Sequence, residues 1–160
     1  MGGEISGETP WRRSRQTLRP VSPAAGADWS VTVPAGHIYR LRSVLATLVT
    51  SAAVATRIAR LTLNDGNGVF VDVPPFGTQA AGLTRRYLWL PSPAAVAQGN
   101  GILSSLPEFD LMAGWSLSTV TDAIDVADQW SAVAIGILDV TAKGGDVNLE
   151  EFPELFIQLV

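Results

Sequence analysis

The sequence predicts an all-β chain, an antiparallel β-sandwich of jelly-roll type with an extended N-terminal arm and a C-terminal tail. Three observations carry that prediction. Short apolar runs of strand length, the first alternating with a period of two at Trp29, Val31 and Val33, recur along the chain. Gly and Pro, 15 and 10 among 160 residues, break these runs at short intervals that suit strands and turns but not long helices. Apolar residues make up 47% and charged residues 16%, which is ample for one core and sparse for a surface wholly in water. Part of that surface is therefore expected to meet other protein.

Residues 1–27 contain Gly2, Gly3, Gly7, Pro10, Pro20, Pro23 and Gly26 with few apolar side chains, and read as an extended arm. Its bulky apolar anchors, Trp11 and Leu18, stand beside Arg12, Arg13, Arg15 and Arg19. Such a segment is either a free tail or a strap that docks on a neighbour. Residues 28–140 form the expected sandwich. Trp29, Val31 and Val33 alternate with Ser30 and Thr32, and Pro34-Ala35-Gly36 then turns the chain, with Pro in the second position and Gly where φ is positive. Residues 37–50 read as a long strand with Tyr39, Leu41, Leu45 and Val49 on one side and Arg40, Arg42, Val44 and Leu48 on the other. Its later half is apolar on both sides, as in a strand entering a sandwich interior or an interface. A helix over 44–56 competes, but its β-branched residues and missing polar face favour strand.

Residues 57–63 place Ala59, Leu61 and Leu63 on one side and end in Asn64-Asp65-Gly66-Asn67-Gly68, the strongest hairpin signal in the chain. Residues 69–73 return, and Pro74-Pro75 stop them. After a loop to Gly82, residues 83–90 form a strand with Tyr87 and Trp89 on one face, closed by Pro91 and Pro93. Beyond the small residues of 94–102 come three short apolar pieces, 103–106, 109–112 and 115–120, separated by Pro107 and by Ala113-Gly114. An acidic loop, 121–128, precedes residues 130–140, whose near-continuous apolar run belongs in the middle of a sheet. Residues 141–160 are an acidic tail ending in Leu155-Phe156-Ile157-Gln158-Leu159-Val160, expected to add a strand to its own sheet or to a neighbour's. Val33-Pro34-Ala35-Gly36-His37 is echoed by Leu111-Met112-Ala113-Gly114-Trp115, as two similarly built Greek keys would be.

Charge is unevenly laid out. All ten Arg lie within residues 1–86 with five acids, whereas residues 87–160 hold Lys143 against ten acids. Either strands from the two halves interleave and neutralise one another, or one subunit's basic face meets a neighbour's acidic face. An acidic protein whose one basic cluster is Arg12, Arg13, Arg15 and Arg19 is not expected to bind nucleic acid. The first residues lack the apolar stretch of a signal peptide, and no apolar run approaches the ~20 residues of a membrane span. The expected location is a cytosol, with no membrane partner.

No constellation of residues points to catalysis or to a cofactor. The chain has no Cys and a single His, His37, and it lacks a nucleophile-elbow motif, so thiol chemistry and a Ser-His-Asp site are not expected. Asp122, Asp125 and Asp128 gather oxygens in one loop but lack the Gly and closing Glu of a calcium loop. They read as a solvated acidic loop, and no metal site is expected. Asp65-Gly66-Asn67-Gly68 has a calcium-like composition, but Phe76 stands where a bidentate Glu would close such a loop. Glu108 and Asp110 share a strand face, although glycosidic chemistry needs two carboxylates converging from opposite sides of a bond. Five Trp (11, 29, 89, 115 and 130) could make a carbohydrate platform, but four fall within predicted strands, where packing is their ordinary role.

Residues 28–140 resemble a family of small virion structural proteins of tailed bacteriophages. The resemblance runs through Asp28-Trp29-Ser30-Val31-Thr32-Val33-Pro34-Ala35-Gly36 into residues 39–50, then Leu63-Asn64-Asp65-Gly66, Tyr87-Leu88-Trp89-Leu90-Pro91, Leu106-Pro107, Ala113-Gly114-Trp115 and Asp128-Gln129-Trp130-Ser131. It implies a non-enzymatic capsid decoration or cement protein, made in the bacterial host cytoplasm and carried in the virion. The implied partners are the major capsid protein or other virion proteins and further copies of itself, a trimer being favoured. The residues expected at such interfaces are Trp11, Arg12, Arg13, Arg15, Leu18, Arg19, Leu155, Phe156, Ile157 and Leu159, by their charge and apolar character. A tail, fibre or head-tail connector component is the alternative within this class. A carbohydrate-binding host-recognition sandwich is the alternative outside it. The two classes differ in whether Trp89 and Trp115 are buried against protein or stand side by side in an open groove.

Overall fold

The computed structural model describes residues 14–91 and 99–141. They form β1 (Ser14–Leu18), β2 (Ser30–Thr32), β3 (Tyr39–Val49), β4 (Ile58–Asn64), β5 (Val69–Val73), β6 (Thr84–Leu90), β7 (Gly101–Ser105), β8 (Asp110–Leu111), β9 (Ser116–Asp122) and β10 (Gln129–Asp139), with no helix among the described residues. The stretch 44–56 is thus strand to Val49 and irregular beyond it, as its β-branched residues favour.

One sheet has the order β1-β10-β3-β6-β7, with β8 also pairing β3, and the other has the order β2-β9-β4-β5. The paired orders β1-β10-β3-β6 and β2-β9-β4-β5 are those of a jelly roll, in which two Greek keys wrap the first strand against the last. Two features depart from the sequence expectation. Ser14–Leu18, within the stretch read as an arm, pairs antiparallel with β10 from Ser14↔Asp139 to Leu18↔Ile135 and is the first strand of the roll. Its polar sequence suits an edge strand whose side chains are largely exposed, which is why composition did not mark it as sheet. The pair β6–β7 is parallel, from Arg86↔Gly101 to Leu90↔Ser105, in an otherwise antiparallel fold.

The core lies between the sheets. β4 contributes Ala59, Leu61 and Leu63, β6 contributes Tyr87 and Trp89, and β10 contributes Trp130, Val133, Ile135 and Ile137, all buried. Tyr87 stacks on Trp89 with ring centroids 5.6 Å apart and tilts against Trp130 at 5.3 Å. These rings fill the middle of the sandwich with large, rigid surfaces. β10 lies between β1 and β3, as its apolar run requires.

β3 does not keep a strict period of two. Its pairing with β10 runs from Gly136↔Ser43 to Ile137↔Leu41, so Arg42 is an extra residue. This bulge resets the alternation. Tyr39, Leu41, Val44, Ala46 and Leu48 therefore face the core, and Leu45 and Val49 fall on the other side, opposite to the simple alternation. The two echoed turns are alike. His37 N–H donates to Pro34 O at 3.2 Å and Trp115 N–H to Met112 O at 3.0 Å, with Gly36 and Gly114 at φ 79° and 83°. Pro34 occupies the first turn position rather than the second. The turns are also joined, Val33 N–H donating to Trp115 O and Gly114 N–H to Val33 O, each at 2.9 Å.

Candidate interaction surface

Among the described residues, part of the unequal charge of the two halves is paired within the chain. Arg40 Nε donates to Asp110 at 2.7 Å and Nη2 at 2.8 Å, and Arg42 donates to Glu108 at 3.3 Å. Arg60 spans Asp72 and Asp122, each at 2.8 Å. His37 Nδ1 lies 3.0 Å from Asp139 Oδ2. Every one of these contacts except Arg60–Asp72 joins a base of residues 1–86 to an acid of 87–160, because antiparallel pairing lays late strands beside early ones. The Arg40 guanidinium holds the Asp110 carboxyl below the usual carboxylate range.

The acids weighed for chemistry are occupied in this way. Glu108 and Asp110 form a ladder with Arg42 and Arg40 along β3, not a pair facing across a cleft. Asp122 holds Arg60, Asp125 accepts from the Ser51 hydroxyl at 2.9 Å, and Asp128 is fully buried on Arg57. Among the described residues no group of three or more His, Asp or Glu side chains is placed to hold a metal ion. Asn64 Oδ1 accepts from Gly66 N–H, and Asp65 Oδ1 from Asn67 and Gly68 N–H, which makes this loop the tight β4–β5 turn that the sequence predicts. His37 sits against Tyr39 and Asp139, and the Thr141 hydroxyl also donates to Asp139. Burial pushes the Asp139 carboxyl up, but the bonds from Thr141 and His37 outweigh it and leave the carboxyl below its ordinary range.

Arg57 is the polar centre that sequence reasoning missed. Its five N–H donors meet five acceptors: Nε and Nη2 on the two oxygens of Asp128 at 2.8 and 3.1 Å, Nη2 also on Ser51 Oγ, and Nη1 on Ala53 O and Ala55 O. Asp128 also accepts from Ser51 N–H at 2.7 Å and Asp125 N–H at 2.8 Å. One guanidinium thus fastens the loop after β3 to the loop before β10, while the Arg57 backbone pairs with Gln79. Burial pushes the Asp128 carboxyl up, yet Arg57 and the two backbone donors hold it low. No local pattern marks an Arg between Thr56 and Ile58 as buried, because its partner lies 71 residues away.

Apolar side chains outside the core gather on two surfaces among the described residues. Trp29, Trp89 and Trp130 are buried, so they make no open platform. Trp115 is half-buried, its ring 4.9 Å from Phe70, which in turn lies 6.0 Å from Phe109. Phe70, on the edge strand β5, and Met112 beside Trp115 are exposed, which gives an aromatic corner at one border of the small sheet. A second apolar surface is the outer face of the large sheet, where Ala134, Leu45, Leu88 and Leu103 stand in one row across β10, β3, β6 and β7. These four are half-buried and belong to no part of the core.

Of the residues expected at interfaces, Arg15 and Arg19 are exposed, whereas Leu18 packs against the core. Trp11, Arg12, Arg13, Leu155, Phe156, Ile157 and Leu159 lie outside the described residues, as does the expected terminal strand.

The chain matches no protein-family model and no curated protein. Among solved structures, one described as "Structure of PfGH50B" is similar over 84% of this chain and 23% of its own, at 9% identity and a TM-score of 0.34. At that level the likeness carries no argument.

Proposed function

We propose that the chain is a non-enzymatic structural protein of a tailed-phage virion, a decoration or cement protein that stabilises the head through contacts with neighbouring subunits. The single observation that carries this reading is the disposition of its side chains. Among the described residues the acids weighed for chemistry, Glu108, Asp110, Asp122 and Asp128, are each held by an Arg, while the aromatic corner of Phe70, Phe109, Trp115 and Met112 reaches the surface. Acids engaged within and apolar surface left without suit protein contact. The jelly roll, a fold used in capsid and in lectin domains alike, accommodates the role, and the resemblance of residues 28–140 supplies the virion context. The lectin-like alternative is disfavoured by Trp89, which is buried at 0% exposure rather than set beside Trp115 in a groove.

The test is cryo-electron microscopy of particles from a phage that encodes this chain. The expected result is density for it at regular positions on the shell, with occupancy restored when purified protein is added to heads that lack it. Density in the tail or fibre would reassign it to a connector or fibre role. Absence from the particle, with glycan binding by the purified protein, would overturn the reading.

A further inference from the structure

β1 is held to the rest of the fold by little besides its backbone. Of its side chains only Leu18 packs against the core, while Arg15, Gln16 and Thr17 are exposed. Among the described residues its one side-chain hydrogen bond, from Gln16 to Ser14, stays within the strand, and no ion pair reaches it. What fastens it is the antiparallel ladder with β10, from Ser14↔Asp139 to Leu18↔Ile135. A strand with so little buried side chain opens far more readily than the strands of the core.

The segment that follows has the properties of a hinge. Arg19, Val21 and Ser22 are exposed, Val21 at 91%, and Pro20, Val21 and Ser22 make no hydrogen bond among the described residues. Pro20 and Pro23 bias Arg19 and Ser22 toward extended backbone, which opposes a tight fold back onto the chain's own sheet. The chain is fixed again at Pro23, whose O accepts from Gln129 Nε2 at 2.8 Å, and at Gly26, whose N–H donates to Asp128 O at 2.7 Å. The four residues from Arg19 to Ser22 extend up to about 14 Å, so two copies that meet near their hinges bring each β1 within reach of the other's β10.

We infer that β1 is an exchangeable strand, which between neighbouring copies of this chain leaves its own β10 and adds to the β10 of the other copy. The fit is already visible within one chain, because the exchanged strand makes the same five pairs and seats the same Leu18. A departing β1 uncovers the edge of β10, and the neighbour's strand closes it again. Within one chain the linker keeps β1 at an effective concentration of about 1 mM, so exchange needs copies crowded to a similar level, in concentrated solution or in an assembly. The inference concerns the chain and its own copies, and it stands apart from the virion role.

The chain has no Cys, so introduced thiols report the pairing directly. Arg15 and Leu138 are partners across β1 and β10 and lie outside the core. Antiparallel partners have Cα atoms about 4.5–5.5 Å apart, within the range a disulfide spans. The full chain carrying both Arg15→Cys and Leu138→Cys, oxidised when dilute, is expected to close a bridge within one molecule. Separate Arg15→Cys and Leu138→Cys chains, mixed at about 1 mM and then oxidised, are expected to give a disulfide-linked heterodimer on non-reducing gels. Its yield should be several times that from Arg15→Cys mixed with Thr84→Cys, whose thiol stands on β6, three strands from β1. A heterodimer no more abundant than in that control mixture would overturn exchange. Failure of the dilute double variant to bridge would overturn it too, because β1 would then not lie on β10.

Discussion

Asp128→Asn tests whether the two end loops are held by one buried ion pair. Asp128 accepts four hydrogen bonds, two from Arg57 at 2.8 and 3.1 Å and one each from Ser51 and Asp125 N–H at 2.7 and 2.8 Å, and both side chains of the pair are at 0% exposure. Asn offers one oxygen where the carboxylate offers two, and its amide turns donors against donors. The Arg57 charge is then buried without a counter-charge, a change that destabilises by about 3–5 kcal/mol. With a urea slope of about 2 kcal/mol/M, the unfolding midpoint should fall by about 2 M at neutral pH. The Arg57→Met/Asp128→Leu double variant should recover little of this. It leaves the N–H groups of Ser51 and Asp125 and the carbonyls of Ala53 and Ala55 without partners, each about 1–3 kcal/mol if it stays buried. A midpoint shift under about 0.3 M for Asp128→Asn, or full recovery in the double variant, would refute the reasoning. The pH dependence has a definite sign. Because the folded Asp128 carboxyl titrates below its unfolded value, its contribution is complete above the ordinary carboxylate range and is lost as pH falls through the folded value. Wild type and Asp128→Asn should therefore converge in stability in acid.

Further outcomes follow from other sites. Asp110→Asn at the half-exposed Arg40 pair should lower stability by under about 1 kcal/mol in the same urea assay, and by less in high salt. Gly26→Ala should destabilise severely, since at φ 75° the added Cβ would lie 2.7 Å from the Val126 Cα, whereas Gly36→Ala, at φ 79° in open space, should lose only about 1–2 kcal/mol. Thermal melts separate the two. Tyr87 is buried with no partner for its hydroxyl among the described residues, and burial, opposed by Arg85, pushes its pKa up to about 12. Absorbance titration should show it un-ionised until the fold yields, with its share of stability lost as pH rises from about 10 toward 12. Tyr87→Phe should be neutral or slightly stabilising, because it removes a desolvated hydroxyl. Phe70→Asp at the aromatic corner should leave the melting temperature nearly unchanged and reduce occupancy on phage heads, as measured by particle imaging.

Strand identity was legible in the residues themselves. Ala59, Leu61 and Leu63 in β4 and Tyr87 and Trp89 in β6 alternate as strand side chains must, and Asn64-Asp65-Gly66 marks its turn, because these signals depend on neighbours a few residues away. The apolar run of residues 130–140 likewise announced a strand covered on both edges. β1 was not legible, since an edge strand of the sequence SRQTL is kept polar by the water it faces.

Other features are set by contacts between distant parts of the chain. The extra residue Arg42 in β3 exchanges the inward and outward side chains after it, and its position is fixed by pairing with Gly136 and Ile137 nearly a hundred residues later. The division of charge left two outcomes open, and antiparallel pairing chose the internal one for Arg40, Arg42, Arg57 and Arg60. Burial of the Arg57–Asp128 pair and the alignment of Leu45, Leu88 and Leu103 in one row outside the core belong to the same level. Sequence specifies which side chains are apolar or charged, but which of them meet depends on strand register, and register exists only once the two sheets have closed on their core.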